Sequence, residues 1–340
     1  MEVYHGSGFY EKVPGKEPLR RLPLGQEFVW EGIHGRIPAL YLGKKGAVLD
    51  VCIRVPISEV EKYLAGWSEN KRRYLAEETE EELEKMTGED PFHMDFQVRM
   101  TLDGQPLKLT EGCSTGWHPL GMESQYVKEE AELLVEEYGC DRSYGWLMTR
   151  WTYQWEDDIQ TEPKCMELTF EAMRIPETGG YFKTVEGEKD LSVQIQDPDK
   201  EETYTLTVLS CKNEIRETKI LGVEGLELEY PSHYQAVEYG IRPDLSPEEF
   251  QIRDCAQSDP PRAKDGGETG AVAVFMAGSS GAAPIYIGGE KVTVKAAFSS
   301  MHFEPVEEVT WRAVFYRKRR TDMTLTVKLQ EADTVKERTV

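Results

Sequence analysis

Eleven consecutive residues, Phe92 to Leu102, constrain the fold of this chain more than any other stretch. Their apolar and polar side chains alternate without exception. Because successive side chains of a β-strand point to opposite faces, this pattern predicts a strand with one buried and one solvated face. Asp103 and Gly104 follow as a hairpin turn, and Pro106 begins the return strand. Such alternation is typical of an antiparallel sheet.

Short strand patterns separated by turns continue along the chain, and beyond Tyr181 they dominate it. This spacing favours a sandwich or a barrel. We therefore predict a mainly β fold, built as antiparallel β-sheet or β-sandwich domains with small helical insertions. A chain of 340 residues exceeds what a single core usually supports. We expect two domains: residues 1–186, an antiparallel β domain that carries the helical insertions, and residues 187–340, a β-sandwich region.

Three stretches have helical signals. Ser58 and Glu61 have the spacing of a capping box, and a charged segment around residues 79–88 predicts a second short helix. The clearest helix spans Gln125 to Tyr138, where Val127, Ala131, Leu134 and Tyr138 form one apolar stripe and Gly139 is the stop signal. We expect this helix to pack on the sheet.

The charge balance excludes several classes of partner. There are 62 acidic and 40 basic side chains, which give a net charge of −22. This charge repels phosphate backbones and anionic lipid headgroups, so we predict neither a nucleic-acid nor a membrane partner. The basic run Arg317 to Arg320 is interpreted as a solvated turn. The sequence shows no signal peptide and no run of about 20 apolar residues, and we expect a cytoplasmic protein.

Cysteine and histidine spacing predicts neither disulfides nor a bound metal. The six cysteines are scattered without a C-x-x-C motif, and no two of the six histidines have helical metal-ligand spacing. The glycine-rich stretches after Asp265 fit neither G-x-G-x-x-G nor the P-loop pattern. We therefore expect reduced thiols, no metal and no cofactor.

The most unusual stretch is Tyr144 to Asp158, which contains three of the seven tryptophans and ends in three carboxylates. As a strand, it places Trp151, Tyr153 and Trp155 in a row on one face. Such a row is either the wall of a core or a platform on which a flat ligand stacks. The neighbouring acids favour a platform for sugars, because rings pack on the apolar faces of sugars and carboxylates accept their hydroxyl hydrogens.

These features give three hypotheses about function. The leading one is a non-catalytic binding protein for a carbohydrate or another polyhydroxylated ligand, with Trp151, Tyr153, Trp155, Trp117 and His118 as candidate binding residues. The second is a glycosidase-like enzyme whose paired carboxylates come from Glu156, Asp157, Asp158 and Asp95. The third is a structural or assembly protein whose sheets contact partner subunits. The sequence leaves the oligomeric state open.

Overall fold

The computed structural model of the protein describes residues 1–11, 13–67, 80–120, 129–155, 162–216, 228–263, 285–287 and 289–329. Antiparallel strands account for most of the secondary structure in these ranges, and the helices there are short. The predicted mainly β fold with small helical insertions is confirmed.

The described strands are β1 (Arg20–Trp30), β2 (Ile33–Gly43), β3 (Gly46–Val55), β4 (Phe96–Leu102), β5 (Gln105–Pro106), β6 (Lys108–Trp117), β7 (Gly145–Gln154), β8 (Cys165–Ala172), β9 (Arg174–Val185), β10 (Leu191–Gln196), β11 (Thr203–Ile215), β12 (Leu228–Glu229), β13 (His233–Arg242), β14 (Phe250–Asp254), β15 (Arg262–Ala263), β16 (Ile285–Ile287), β17 (Glu290–Val292), β18 (Lys295–Phe298), β19 (Glu308–Lys318) and β20 (Met323–Lys328). The described helices are α1 (Ile57–Gly66), α2 (Glu80–Glu89) and α3 (Glu129–Glu137).

The helices correct one sequence prediction and support another. Helix α1 begins at Ile57 after Pro56 and has no side-chain cap, so the predicted capping box at Ser58 is wrong. Helix α3 buries Ala131 and Leu134 as the apolar stripe predicted. It is followed by Gly139 with a φ of 58°, the left-handed conformation that ends many helices. The predicted beginning of this helix, residues 125–128, lies outside the described residues.

Compactness divides the chain into two units. Unit 1 contains residues 1–75, 85–173 and 318–340, and unit 2 contains residues 76–84 and 174–317. Besides the short segment 76–84, the chain therefore leaves unit 1 after Met173 and returns to it at Lys318. The division into domains 1–186 and 187–340 concerns independent folding, which compactness does not test, and it stays a prediction.

Unit 1 is a two-layer β-sandwich. Its five-stranded sheet has the order β1-β2-β3-β7-β6, and its four-stranded sheet has the order β20-β8-β4-β5. Both sheets contribute to one apolar core, for example Leu49 and Trp151 from the first sheet and Val98 and Phe170 from the second. In β4 the buried and exposed residues alternate, as its sequence pattern requires.

The middle of the five-stranded sheet is buried on both faces. Strands β3 and β7 are neighbours, with Asp50 opposite Arg150, and nearly every residue of both strands is buried. One face of the pair meets the four-stranded sheet. The other face packs against α3 through an apolar cluster that includes Met148, Leu134 and Val135.

Unit 2 contains a four-stranded sheet in the order β10-β11-β13-β18 and a three-stranded sheet in the order β14-β19-β9. Its apolar core receives side chains from both sheets. At the centre of this core the ring centroids of Phe250 and Phe315 lie 5.1 Å apart, and that of Tyr204 lies 5.5 Å from Phe315. The strand pairs β12-β15 and β16-β17 are separate small ladders.

The basic run Arg317 to Arg320 is not simply a solvated turn, so that interpretation is corrected. Arg317 pairs with Asp197 in unit 2, and Arg320 pairs with Asp95 in unit 1. The side chains of the two arginines are 19% and 21% exposed.

Among the helices in the described ranges, none is long and apolar enough to cross a membrane.

Candidate functional site

The aromatic strand predicted from the sequence is β7, and it places two of its three rings in the core of unit 1. Trp151 is 4% exposed and Tyr153 is fully buried. The Trp151 indole N–H donates to Thr149 Oγ1 at 3.0 Å, and the Tyr153 hydroxyl donates to the Val98 carbonyl at 2.8 Å. Of the two alternatives for this face, the structure supports the core wall for these two rings.

Trp155 lies just beyond the end of β7 and is half-buried. Its indole N–H donates to the Gly43 carbonyl at 2.9 Å, and its ring packs against the edge of the core. The three carboxylates Glu156, Asp157 and Asp158 lie outside the described residues, so their predicted roles beside this ring stay predictions.

Trp117 and His118 are both buried, at 3% exposure each. The Trp117 indole N–H donates to Glu132 Oε2 at 2.6 Å, while the guanidinium of Arg142 lies 5.6 Å from the Trp117 ring. The His118 ring stacks on Phe92 with a centroid distance of 5.9 Å. These contacts anchor the two side chains inside unit 1, and neither ring presents an open face to solvent.

Asp95 is the described member of the candidate catalytic carboxylates, and it is held by an arginine. Arg320 Nη1 lies 3.0 Å and 2.9 Å from its two carboxylate oxygens. The guanidinium also lies 5.3 Å from the Trp30 ring. The enzyme hypothesis needs a second carboxylate at a defined distance from Asp95. It stays a prediction.

A buried charge network, which the sequence analysis missed, lies on the outer face of the five-stranded sheet. The side chains of Asp50 and Arg150 are each 1% exposed. Arg150 Nε and Nη2 donate to the two Asp50 oxygens at 2.8 Å each, and Nη1 donates to the Gly8 carbonyl at 2.9 Å. The Tyr138 hydroxyl donates to Asp50 as well.

The electrostatics of this network oppose proton exchange near neutral pH. Burial, then the charge of Asp50, raises the pKa of Tyr41 to about 12 and moves that of Tyr138 in the same direction. Burial alone acts to lower the pKa of Arg150, but hydrogen bonds and charge from Asp50 outweigh it and raise that pKa. Arg150 therefore stays charged and the tyrosines stay protonated, so we assign this network a structural role.

The described surface that best suits a polar ligand is the outer face of the four-stranded sheet in unit 2. Here β10 and β11 align three cross-strand pairs of hydroxyl and amide side chains, which we call the polar ladder: Ser192 with Thr207, Gln194 with Thr205, and Gln196 with Thr203. Their opposite faces contribute Ile195, Leu206 and Val208 to the core. The ladder is thus the solvent side of a half-buried sheet.

Hydrogen bonds preorganise the polar ladder. Gln194 Nε2 donates to Thr205 Oγ1 at 3.2 Å, and Thr203 Oγ1 donates to Gln196 Oε1 at 3.0 Å. Ser192, the two glutamines and Thr203 are exposed, whereas Thr205 is half-buried and Thr207 is buried. Side chains on one face of a strand recur about every 7 Å. The ladder therefore presents donors and acceptors at a regular spacing.

The sequence contains the signal for the polar ladder in two of its strand patterns. In LSVQIQ and TYTLTV the apolar residues predict two strands, and the alternate residues are all Ser, Thr or Gln. What the sequence lacks is the register, because a shift by one residue from the observed pairing of Gln194 with Thr205 would place the two polar rows on opposite faces.

Comparisons with known proteins add no family. No family model matches the chain, and no curated protein matches it. Among solved structures, the chain is similar to "the conserved domain protein from Bacillus anthracis", with 9% sequence identity, a TM-score of 0.19 and 96% of each chain covered. A TM-score this low supports no conclusion about fold or function.

Proposed function

We propose that this protein is a non-catalytic binding protein for a carbohydrate or another polyhydroxylated ligand, and that the polar ladder of unit 2 forms its binding surface. The observation that supports the proposal is the set of paired hydroxyl and amide side chains on one sheet face, of which Ser192, Gln194, Gln196 and Thr203 are exposed. Sugar hydroxyls donate and accept hydrogen bonds at once. Glutamine amides and threonine hydroxyls do the same.

Preorganisation supports the same conclusion. A long side chain that must be immobilised on binding lowers affinity by about 0.5–1.5 kcal/mol. In the polar ladder Gln194 and Gln196 are already held by Thr205 and Thr203 before any ligand arrives. A ligand that bridges these pairs therefore loses less of its binding free energy to side-chain ordering.

The experiment is a glycan array probed with the full chain, followed by calorimetry on each glycan that binds. Gln194→Ala removes one amide of the polar ladder and should weaken binding about three- to tenfold, as expected for one hydrogen bond. The matched control is Gln251→Ala, which removes an exposed glutamine from the other sheet of unit 2. It should leave the affinity unchanged.

Two results would contradict the proposal. One is a folded wild-type chain that binds no glycan on the array. The other is an equal loss of affinity in Gln194→Ala and Gln251→Ala, which would show that binding does not depend on the polar ladder. Melting temperatures of both variants close to that of wild type show that any loss is not a loss of fold.

A second candidate function is assembly with partner subunits, and the edge strand β9 favours it. β9 ends the three-stranded sheet of unit 2 and exposes Tyr181 and Val185 by 53% and 44%. Edge strands with exposed apolar side chains pair readily with other chains. Light scattering over a range of concentrations should then show oligomers that Val185→Lys reduces. A monomer at every concentration contradicts this function.

We also propose a cytoplasmic location, because six free cysteine thiols suit a reducing compartment. The expectations of no cofactor, no metal, no nucleic-acid partner and no membrane partner belong to the same proposal. They follow from composition and spacing in the sequence.

A further inference from the structure

Two of the six cysteines are buried side by side in unit 1. Cys52 lies in β3, and Cys140 follows the end of α3, where its N–H donates to the Val135 carbonyl at 2.9 Å. Both belong to the apolar cluster between the sheet and α3. Their thiols interact with each other. The fold thus brings together two sulfur atoms from distant parts of the chain.

A cationic group adjoins this pair. Arg36 lies directly opposite Cys52 in the β2-β3 ladder. Its Nη1 donates to the carbonyl of Gly139, the residue before Cys140, at 3.3 Å. Its Nε is buried and has no hydrogen-bond partner. A guanidinium in this place stabilises negative charge on a neighbouring sulfur.

The two thiols differ in acidity and access. The hydrogen bond with Cys52 lowers the pKa of Cys140; burial opposes this shift and the charge of Arg36 adds to it. The hydrogen bond with Cys140, and then burial, raises the pKa of Cys52. Cys140 is 7% exposed, whereas Cys52 is fully buried. Cys140 is the more exposed of the two thiols, so an oxidant from solution reaches it first.

We propose that Cys52 and Cys140 form a redox pair in which hydrogen peroxide oxidises Cys140 and Cys52 then closes a reversible disulfide with it. A peroxide is the class of oxidant that fits, because so little of Cys140 is exposed that a bulky disulfide reagent has poor access. The pair is independent of the polar ladder, which lies in unit 2.

The chemistry balances in two steps. The Cys140 thiolate attacks one peroxide oxygen, the O–O bond breaks, and a sulfenic acid and a hydroxide ion form. The Cys52 sulfur then attacks the Cys140 sulfur, the S–O bond breaks, and the disulfide forms with release of water. The hydroxide takes up the proton that Cys140 had lost, which gives the second water. Two protein thiols are oxidised, and one peroxide is reduced to two waters.

The disulfide would connect the centre of the five-stranded sheet to the chain just after α3. It would link segments that now contact each other through apolar packing. Since a covalent link between distant residues restricts the unfolded chain, the oxidised protein should melt at a higher temperature than the reduced one. A thiol reductant should reverse this rise.

The test uses the native full chain. The protein is treated with hydrogen peroxide, quenched, alkylated under denaturing conditions and digested for mass spectrometry. We expect a cross-linked peptide pair that contains Cys52 and Cys140, the loss of both from the alkylated pool, and full recovery with dithiothreitol. Cys211 is the internal control, because it is 2% exposed and should stay alkylated.

Two variants separate the roles of the thiols. In Cys52→Ser the sulfenic acid on Cys140 has no partner and should be trapped by dimedone. In Cys140→Ser the thiol of Cys52 should stay reduced. The proposal is overturned if native wild type forms no link between Cys52 and Cys140 while the exposed Cys255 is oxidised. If either variant unfolds, the presence or absence of the Cys52–Cys140 peptide pair in the wild-type protein still tests the proposal.

Discussion

Replacing Trp151 by alanine would remove a ring that is 4% exposed and lies between the two sheets of unit 1. A tryptophan buries about 150–250 Å², which at about 25 cal/mol/Å² corresponds to about 4–6 kcal/mol. This value is an upper bound, since the unfolded chain already hides some apolar surface. Measured changes from Trp to Ala in cores are about 3–5 kcal/mol.

The surroundings of Trp151 indicate that the cavity would not close easily. On one side lies Gly112, where an added Cβ would stand 3.1 Å from the ring. On the other side, the centroid of Phe96 is 6.1 Å away. The substitution also removes the hydrogen bond to Thr149. We therefore expect the free energy of unfolding to fall by about 3–5 kcal/mol, with or without a ligand.

Urea titration followed by far-UV circular dichroism measures this change without relying on tryptophan fluorescence. Val29→Ala is the control, because Val29 lies in the same sheet and is 57% exposed. It should change the free energy of unfolding by no more than about 0.5 kcal/mol. A loss below about 1 kcal/mol in Trp151→Ala would refute the assignment of this ring to the core.

Two further predictions concern the charge network on the other face of the same sheet. Asp50→Asn leaves the buried charge of Arg150 without its carboxylate and should lower the free energy of unfolding by about 3–5 kcal/mol. As a control, Glu308→Gln removes one charge of the exposed ion pair with Lys183 and should change the free energy of unfolding by at most about 1 kcal/mol. Equal losses for the two variants in urea titrations would contradict the prediction. Burial raises the pKa of Tyr41 from 10.0 to about 12. Its contribution to stability is therefore complete below pH 10 and is lost as the pH rises towards 12. This shift of two pKa units corresponds to about 2.7 kcal/mol of stability. Tyr41→Phe should therefore lose less stability than wild type between pH 10 and pH 12. An equal loss in both proteins would exclude Tyr41 as the source of this pH dependence.

The comparison of sequence and structure shows what alternation can predict. In Phe96 to Leu102 it identifies both the strand and its buried face. Phe92 is buried too, but it precedes β4 and lies in a turn where its N–H donates to Asp90 Oδ1 at 2.9 Å. Alternation does not distinguish such a turn from the strand that follows it, because both bury an aromatic ring.

The same limit applies to the aromatic strand. Its alternation places Trp151 and Tyr153 on one face correctly, and both are core residues. It does not reveal that the other face of β7, with Met148 and Arg150, is also buried. That second layer depends on α3 and on the partner Asp50, which is 100 residues away in sequence. Contacts over such separations leave no periodic signal.

The return of the chain to unit 1 at Lys318 has a consequence for biosynthesis. Strand β20 pairs with β8, from Met323 opposite Phe170 to Lys328 opposite Cys165. A ribosome therefore releases every described strand of unit 2 before it releases β20, which completes the four-stranded sheet of unit 1. Until then β8 has an open edge, and the nascent unit 1 exposes backbone groups to which other chains can attach. Translation of unit 1 thus begins first, but its four-stranded sheet is completed last.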